Sequence, residues 1–211
     1  MRRVAFAVSI ALAALLAARD VAGKADPAAG ATGVDEFAYC TTCHGTQGNG
    51  NAAIRAPKIA GMPSWYLERQ LRAFRSGWRG VHDADEPGRE MRGVATALAD
   101  DRAMARAIAY VQTFAPLPPP VTVHGDVAQG SALYAPCAAC HGMRGEGNEA
   151  LAAPALAAQD DWYLVAQLEA YRSGRRGAHA DDVDGAAMRA VAAEMTDAAI
   201  DDVVAYIATL H

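Results

Sequence analysis

A constant offset of 97 residues lays much of this chain onto itself. Gly33 falls on Gly130, Phe37 on Tyr134, Cys40 on Cys137, His44 on His141 and Pro57 on Pro154. Further on, Trp65-Tyr66-Leu67 falls on Trp162-Tyr163-Leu164 and Gln70-Leu71 on Gln167-Leu168. Arg75-Ser76-Gly77 matches Arg172-Ser173-Gly174, His82 matches His179, and Met91-Arg92 matches Met188-Arg189. The register slips by one only near the end, where Ala109-Tyr110-Val111 matches Ala205-Tyr206-Ile207. Self-similarity over so many positions means one folding unit present twice. The joint is Pro116-Leu117-Pro118-Pro119-Pro120, a short, semi-rigid polyproline spacer. The expected divisions are 1–23, 24–116, a linker 117–124, and 125–211.

Each copy carries Cys-x-x-Cys-His, as Cys40 to His44 and Cys137 to His141. Two thiols three positions apart on a helical turn can each bond one vinyl group of a single porphyrin, and the next residue's imidazole then lies under the ring. The competing readings are a structural zinc site and a thioredoxin-like redox pair. Zinc needs four ligands gathered in one place, and 97 residues is a long separation for two halves of one ribbon. A redox pair calls for no adjacent His. The pattern points to two covalently attached haem c groups, with His44 and His141 as iron ligands.

Both copies read as all-α, with long loops. A short helix leads into the motif. A second starts after Ser64 or Asp161, both read as N-caps, and ends at Gly77 or Gly174, placed as C′ glycines. A last helix closes each copy. In the second it opens at Thr196 and carries the stripe Ile200, Val203, Val204, Ile207 and Leu210. Met104, Ile108 and Val111 form a weaker one in the first. Aromatic content of 7% leaves about ninety residues per copy with a thin core. A buried porphyrin supplies the missing apolar mass, and the chain without it is expected to fold poorly.

Residues 1–23 read as a secretory signal: Arg2-Arg3, then an apolar run from Val4 to Ala18 broken by Ser9, then small residues. Retention as an anchor is the alternative, so a loose membrane association stays open. Export fits haem attachment outside the cytoplasm, and the motifs use all 4 Cys. Charge is uneven. Residues 24–116 hold 11 basic and 10 acidic side chains, and residues 121–211 hold 5 and 13, a net of −8. Such a field steers encounters with charged partners and argues against nucleic acid, whose phosphates want a basic face.

On the far side of each iron the candidates are Met91 and Met188, each 47 residues after its own His and both expected in a loop before the last helix. His/Met ligation raises the reduction potential relative to stronger donors. His82 and His179 are the rival pair, in acidic loops that look solvated. The carbonyls of Pro57 and Pro154 are candidates to hold the imidazole N–H groups. Trp65, Trp162, Arg75, Arg172, Arg79 and Arg176 are candidates to donate to haem propionates.

With these residues in place, the chain from Gly33 to Leu210 resembles the two-haem class I cytochromes c, most closely the cytochrome c4 family. The resemblance implies tandem cytochrome c domains related by a pseudo-twofold axis, with haems near their interface. It implies His44/Met91 and His141/Met188 ligation, and a Gly–aromatic pair in each copy (Gly33 with Phe37, Gly130 with Tyr134) packed on the last helix. It also implies a periplasmic electron carrier, not an enzyme and without a small-molecule substrate. Its partners would be redox proteins, a quinol-oxidising complex or dehydrogenase as donor and a terminal haem–copper oxidase as acceptor. The alternative is the electron-accepting subunit of a periplasmic dehydrogenase, such as a flavoprotein oxidising sulfide.

Overall fold

In the computed structural model, residues 37–210 are described. The expected signal segment and Gly33 lie outside the described residues. Both repeats belong to one compact unit, Gly33–His211.

The first repeat (lobe 1) has α1 (Tyr39–His44), α2 (Ser64–Arg75), α3 (Glu86–Ala97) and α4 (Asp101–Val111). The second (lobe 2) has α5 (Val127–His141), α6 (Asp161–Arg172), α7 (Val183–Ala193) and α8 (Asp197–Ile207). Among the described residues the only extended pairings are the isolated bridges Asn51–Ala56 and Asn148–Ala153. Each closes a loop around one 3₁₀ turn, Ala52–Ile54 or Glu149–Leu151. No helix among the described residues is long and apolar enough to cross a membrane.

Sequence cues explain most helix ends. Thr196 caps α8 by accepting from the Ala199 N–H at 3.1 Å. At the end of α2, Gly77 takes φ 78° and donates to the Phe74 carbonyl at 3.2 Å. Trp78 then donates to the Ala73 carbonyl at 2.8 Å, completing a Schellman closure. Ser64 and Asp161, in contrast, are the first helical residues, and Pro63 and Asp160 hold the cap positions without a side-chain cap bond. The Asp161 carboxylate faces the linker instead, accepting from Thr122 Oγ1 at 2.6 Å and the Val123 N–H at 2.8 Å.

A larger difference concerns Met91 and Met188. The stretches expected as loops are helices, α3 and α7, and each methionine lies inside one. Asp85 and Asp182 cap them by accepting from Gly88 and Gly185 N–H groups at 3.1 and 3.0 Å. Pro87 in the first turn of α3 supplies a preset φ. The signal Asp85-Glu86-Pro87 was readable, but Gly88 and Gly93 hid it.

The core of lobe 1 gathers Phe37, Leu98, Met104, Ala107 and Ile108. That of lobe 2 gathers Tyr134, Ile200, Val203, Val204 and Ile207. There α5 and α8 cross closely at Gly130, where a Cβ would collide with the Asp202 carbonyl oxygen. Tyr134 packs on Tyr206 with ring centroids 5.4 Å apart and donates its hydroxyl to the Gly142 carbonyl at 2.7 Å. Burial pushes the Tyr134 phenol up to about 12.

Candidate functional site

His44 ends α1 and His141 ends α5, and both are buried. Their Nδ1 atoms lie 2.7 Å from the Pro57 carbonyl and 2.8 Å from the Pro154 carbonyl. A carbonyl can only accept, so Nδ1 carries the proton and the Nε2 lone pair is left for a metal. Burial holds both imidazoles below the usual histidine range, against an opposing pull from the carbonyl bonds. Neutral imidazole is the form that binds iron. After each histidine the chain must fold back beneath the ring. Gly45 and Gly142 make that turn at φ 82°, a left-handed region costly for other residues.

Two cavities flank these histidines. The lobe 1 cavity, about 220 Å³, is walled by Cys40, Cys43, His44, Pro57 and Met91. The lobe 2 cavity, about 660 Å³, is walled by Cys137, Cys140, His141, Pro154 and Met188. Thus each lobe brings its two thiols, imidazole, proline carbonyl and thioether to one space. None of the four cysteines is in a disulfide. Among the described residues no group of three or more His, Cys, Asp or Glu is assembled to hold a bare metal ion.

The cavities share a wall. Tyr66, Gln70 and Arg79 from lobe 1 meet Tyr163, Gln167 and Arg176 from lobe 2, and all six line both spaces. Arg79 donates to Gln70 Oε1 at 2.6 Å and across the seam to Gln167 Oε1 at 3.1 Å. Arg176 answers with Gln167 Oε1 at 2.7 Å and Gln70 Oε1 at 3.0 Å. This reciprocity is a local twofold relation. Each guanidinium also sits over an aromatic ring, Arg79 at 4.3 Å from the Phe74 centroid and Arg176 at 4.6 Å from that of Tyr171. Burial works against the Arg176 charge, while Tyr171, Tyr66 and Tyr163 act the other way and leave the guanidinium above its ordinary range. Both arginines are only 8% exposed, and these hydrogen-bond partners are amide oxygens. Two buried cations at one seam call for anionic partners. A pair of haems, with propionates presented there, fits this donor set.

Several expected residues lie elsewhere. Arg75 and Arg172 do not wall the cavities. Arg75 pairs with Asp101 at the start of α4, and Arg172 with Asp197 at the start of α8 at 2.5 Å. Basic last turns and acidic first turns attract, which a position-by-position reading overlooked. Trp65 packs edge-on against Tyr66, with centroids 5.7 Å apart, rather than on its cavity. Trp162 walls the cavity of the other lobe. His82 and His179 are exposed and wall neither cavity, and His179 stacks on Trp78 at 5.6 Å. The seam residues Tyr66, Gln70 and Gln167 were repeated in the sequence, but nothing local assigned them to an interface.

Comparison with known proteins places the chain in a family. The cytochrome c family matches residues 28–115 and 127–211. Cytochrome c4 of Azotobacter vinelandii is 32% identical over 95% of this chain and 99% of its own. A thiosulfate dehydrogenase electron acceptor of Stutzerimonas stutzeri is 34% identical over 89% of this chain and 82% of its own. The crystal structure of reduced recombinant cytochrome c4 from Pseudomonas stutzeri superposes with a TM-score of 0.66 at 30% identity, covering 85% of this chain and 97% of that one.

Proposed function

The chain belongs to the cytochrome c family, in its tandem two-haem cytochrome c4 form, and transfers electrons with two covalently bound haem c groups; on that premise we propose the following assignments. Cys40 and Cys43 attach one haem and Cys137 and Cys140 the other. His44 with Met91, and His141 with Met188, would hold the two irons. The protein is a periplasmic carrier, passing single electrons from a quinol-oxidising complex or a dehydrogenase to a terminal haem–copper oxidase. One observation carries this reading: each cavity gathers two thiols, a neutral imidazole with its Nδ1 held, and a thioether.

The bound group supplies a one-electron ferric/ferrous couple. The chain's own residues do the rest. Pro57 and Pro154 fix each imidazole's tautomer and plane. Apolar walls of Leu67, Leu71 and Ile108 in lobe 1, and of Leu164, Leu168 and Ile207 in lobe 2, exclude water, which favours the less charged oxidation state. Arg79 and Arg176 offer charge compensation at the shared wall. With an imidazole and a thioether both holding each iron, no position would be left for a substrate, and the bound group would carry single electrons rather than make or break bonds.

A second reading has specific support. Relatives named as thiosulfate dehydrogenase electron acceptors match at 34% identity, so a docked acceptor subunit on a periplasmic sulfur dehydrogenase is the alternative. The test is stopped-flow reduction of the purified holoprotein. Fast reduction by a quinol-oxidising complex, then reoxidation by oxidase-containing membranes, supports the shuttle. Reduction by thiosulfate dehydrogenase alone, in a stable complex with it, replaces the shuttle with the subunit.

A further inference from the structure

The peptide that serves His44 has a second partner. Its carbonyl, on Pro57, accepts from the imidazole at 2.7 Å. Its N–H, on Lys58, donates to Asp160 Oδ2 of lobe 2 at 2.8 Å. One planar amide therefore links the lobe 1 imidazole to a carboxylate that is 3% exposed. A peptide N–H bound to an anion pushes density onto its own carbonyl oxygen, making that oxygen a stronger acceptor.

Asp160 is held for this purpose from both sides. Its own N–H donates to Gln159 Oε1 at 2.9 Å, and Gln159 Nε2 donates to the Lys58 carbonyl at 3.1 Å. The Lys58 ammonium reaches past Asp160 to the carbonyls of Ala158, at 2.9 Å, and Leu117. Burial raises the Asp160 carboxyl, while the Lys58 N–H and ammonium oppose that rise.

Lobe 2 has no copy of this arrangement. His141 reaches Pro154 in the same way, but the repeat places Ala155 where Lys58 stands, Met62 where Gln159 stands and Pro63 where Asp160 stands. Proline offers no acceptor side chain.

We propose that Asp160 is a positioning residue acting across the seam: through the Pro57–Lys58 peptide it makes the His44 imidazole a more electron-rich ligand than His141. A more basic imidazole favours ferric iron, so Asp160 lowers the potential of the lobe 1 haem selectively. The inference rests on His44 being the lobe 1 iron ligand. Failure of that reading is visible in the unaltered protein, as a His44 ring without haem-shifted resonances.

The test measures each haem's potential and the Nδ1–H resonances of His44 and His141 in the holoprotein. In Asp160→Asn the lobe 1 haem favours the ferrous state about tenfold more at fixed ambient potential, about 59 mV for one electron. The lobe 2 haem stays put, and only the His44 resonance moves. Asp160→Glu recovers most of both signals, and Lys58→Gln, which retains the peptide N–H, leaves the His44 resonance in place. Unchanged potentials in Asp160→Asn, equal shifts of both haems, or a His44 resonance displaced as far by Lys58→Gln would overturn the proposal. The unaltered, reduced protein gives a check independent of folding: His44 Nδ1–H must resonate downfield of His141 Nδ1–H, and the reverse order overturns it.

Discussion

The two lobes bring the same residue types, two Cys, a His, a Pro carbonyl and a Met, to one space in the same order, yet their cavities measure about 220 and 660 Å³. The difference lies in the walls. Arg55, Lys58 and Glu90 line the lobe 1 cavity, and the repeat replaces them with Ala152, Ala155 and Ala187 in lobe 2. Three charged side chains have become three methyl groups. Lobe 2 meanwhile keeps exposed Leu151, Val183 and Val191, with Asp181, Asp182 and Asp184 beside them. The matched Cys, His, Pro and Met are the same in both repeats, and what surrounds them is not. The lesson is that motif residues fix the chemistry of a redox centre, whereas its potential and docking face are set by neighbours the motif does not constrain.

The most drastic way to break the comparison is to delete one attachment site at a time. Cys40→Ala with Cys43→Ala, or Cys137→Ala with Cys140→Ala, should leave one covalent haem, read by intact mass and halved visible absorbance. The emptied lobe should lose helicity by circular dichroism, because its core is thin. Next in size are the thioethers. Met91→Ala should lower the potential of one haem and Met188→Ala that of the other, each leaving its neighbour unchanged in a spectroelectrochemical titration.

Gly130→Ala tests the α5–α8 crossing of lobe 2 alone. The added methyl meets the Asp202 carbonyl, and overpacking of this kind costs about 1–3 kcal/mol, measurable as a lower Tm. A smaller effect sharpens the docking contrast. Neutralising Asp181, Asp182 and Asp184 should slow reaction with a basic redox partner at low salt by about tenfold and flatten its ionic-strength dependence. Neutralising Asp83, Asp85 and Glu90 in lobe 1 should do less.

The smallest effect concerns pH. Burial would raise the Asp161 carboxyl, but bonds from Thr122, Val123 and Trp162 outweigh it, and the group stays below its usual 3.8. A depressed carboxyl stabilises the fold above its unfolded value and loses that contribution as pH falls through the folded one. Asp161→Asn should therefore narrow the stability gap to the wild type below about pH 4, as read by denaturant titration.

Local chemistry made much of this legible in the chain itself. The thiol–imidazole pairs, the C′ glycines Gly77 and Gly174 and the Thr196 cap all depend on residues close in sequence, and the 97-residue offset is plain identity between two stretches. The helices carrying Met91 and Met188 were obscured because glycine weakened their signal, although Asp85 and Asp182 stood ready as caps. The roles of Gln70 and Asp160 were beyond reach for another reason. Lys58 and Asp160 are 102 residues apart, and no periodicity within one repeat says how two repeats face each other. Arg75 and Arg172 show the same limit, since their carboxylate partners lie 26 and 25 residues downstream.

Two haems bound through matching residues should be made unlike by their walls. A spectroelectrochemical titration of the purified holoprotein, paired with its intact mass, tests this most directly. The expected result is a mass with two covalent haems and two resolved one-electron steps, each assignable to one lobe through Met91→Ala and Met188→Ala. A mass without covalent haem, or two identical potentials that neither variant splits, would contradict it.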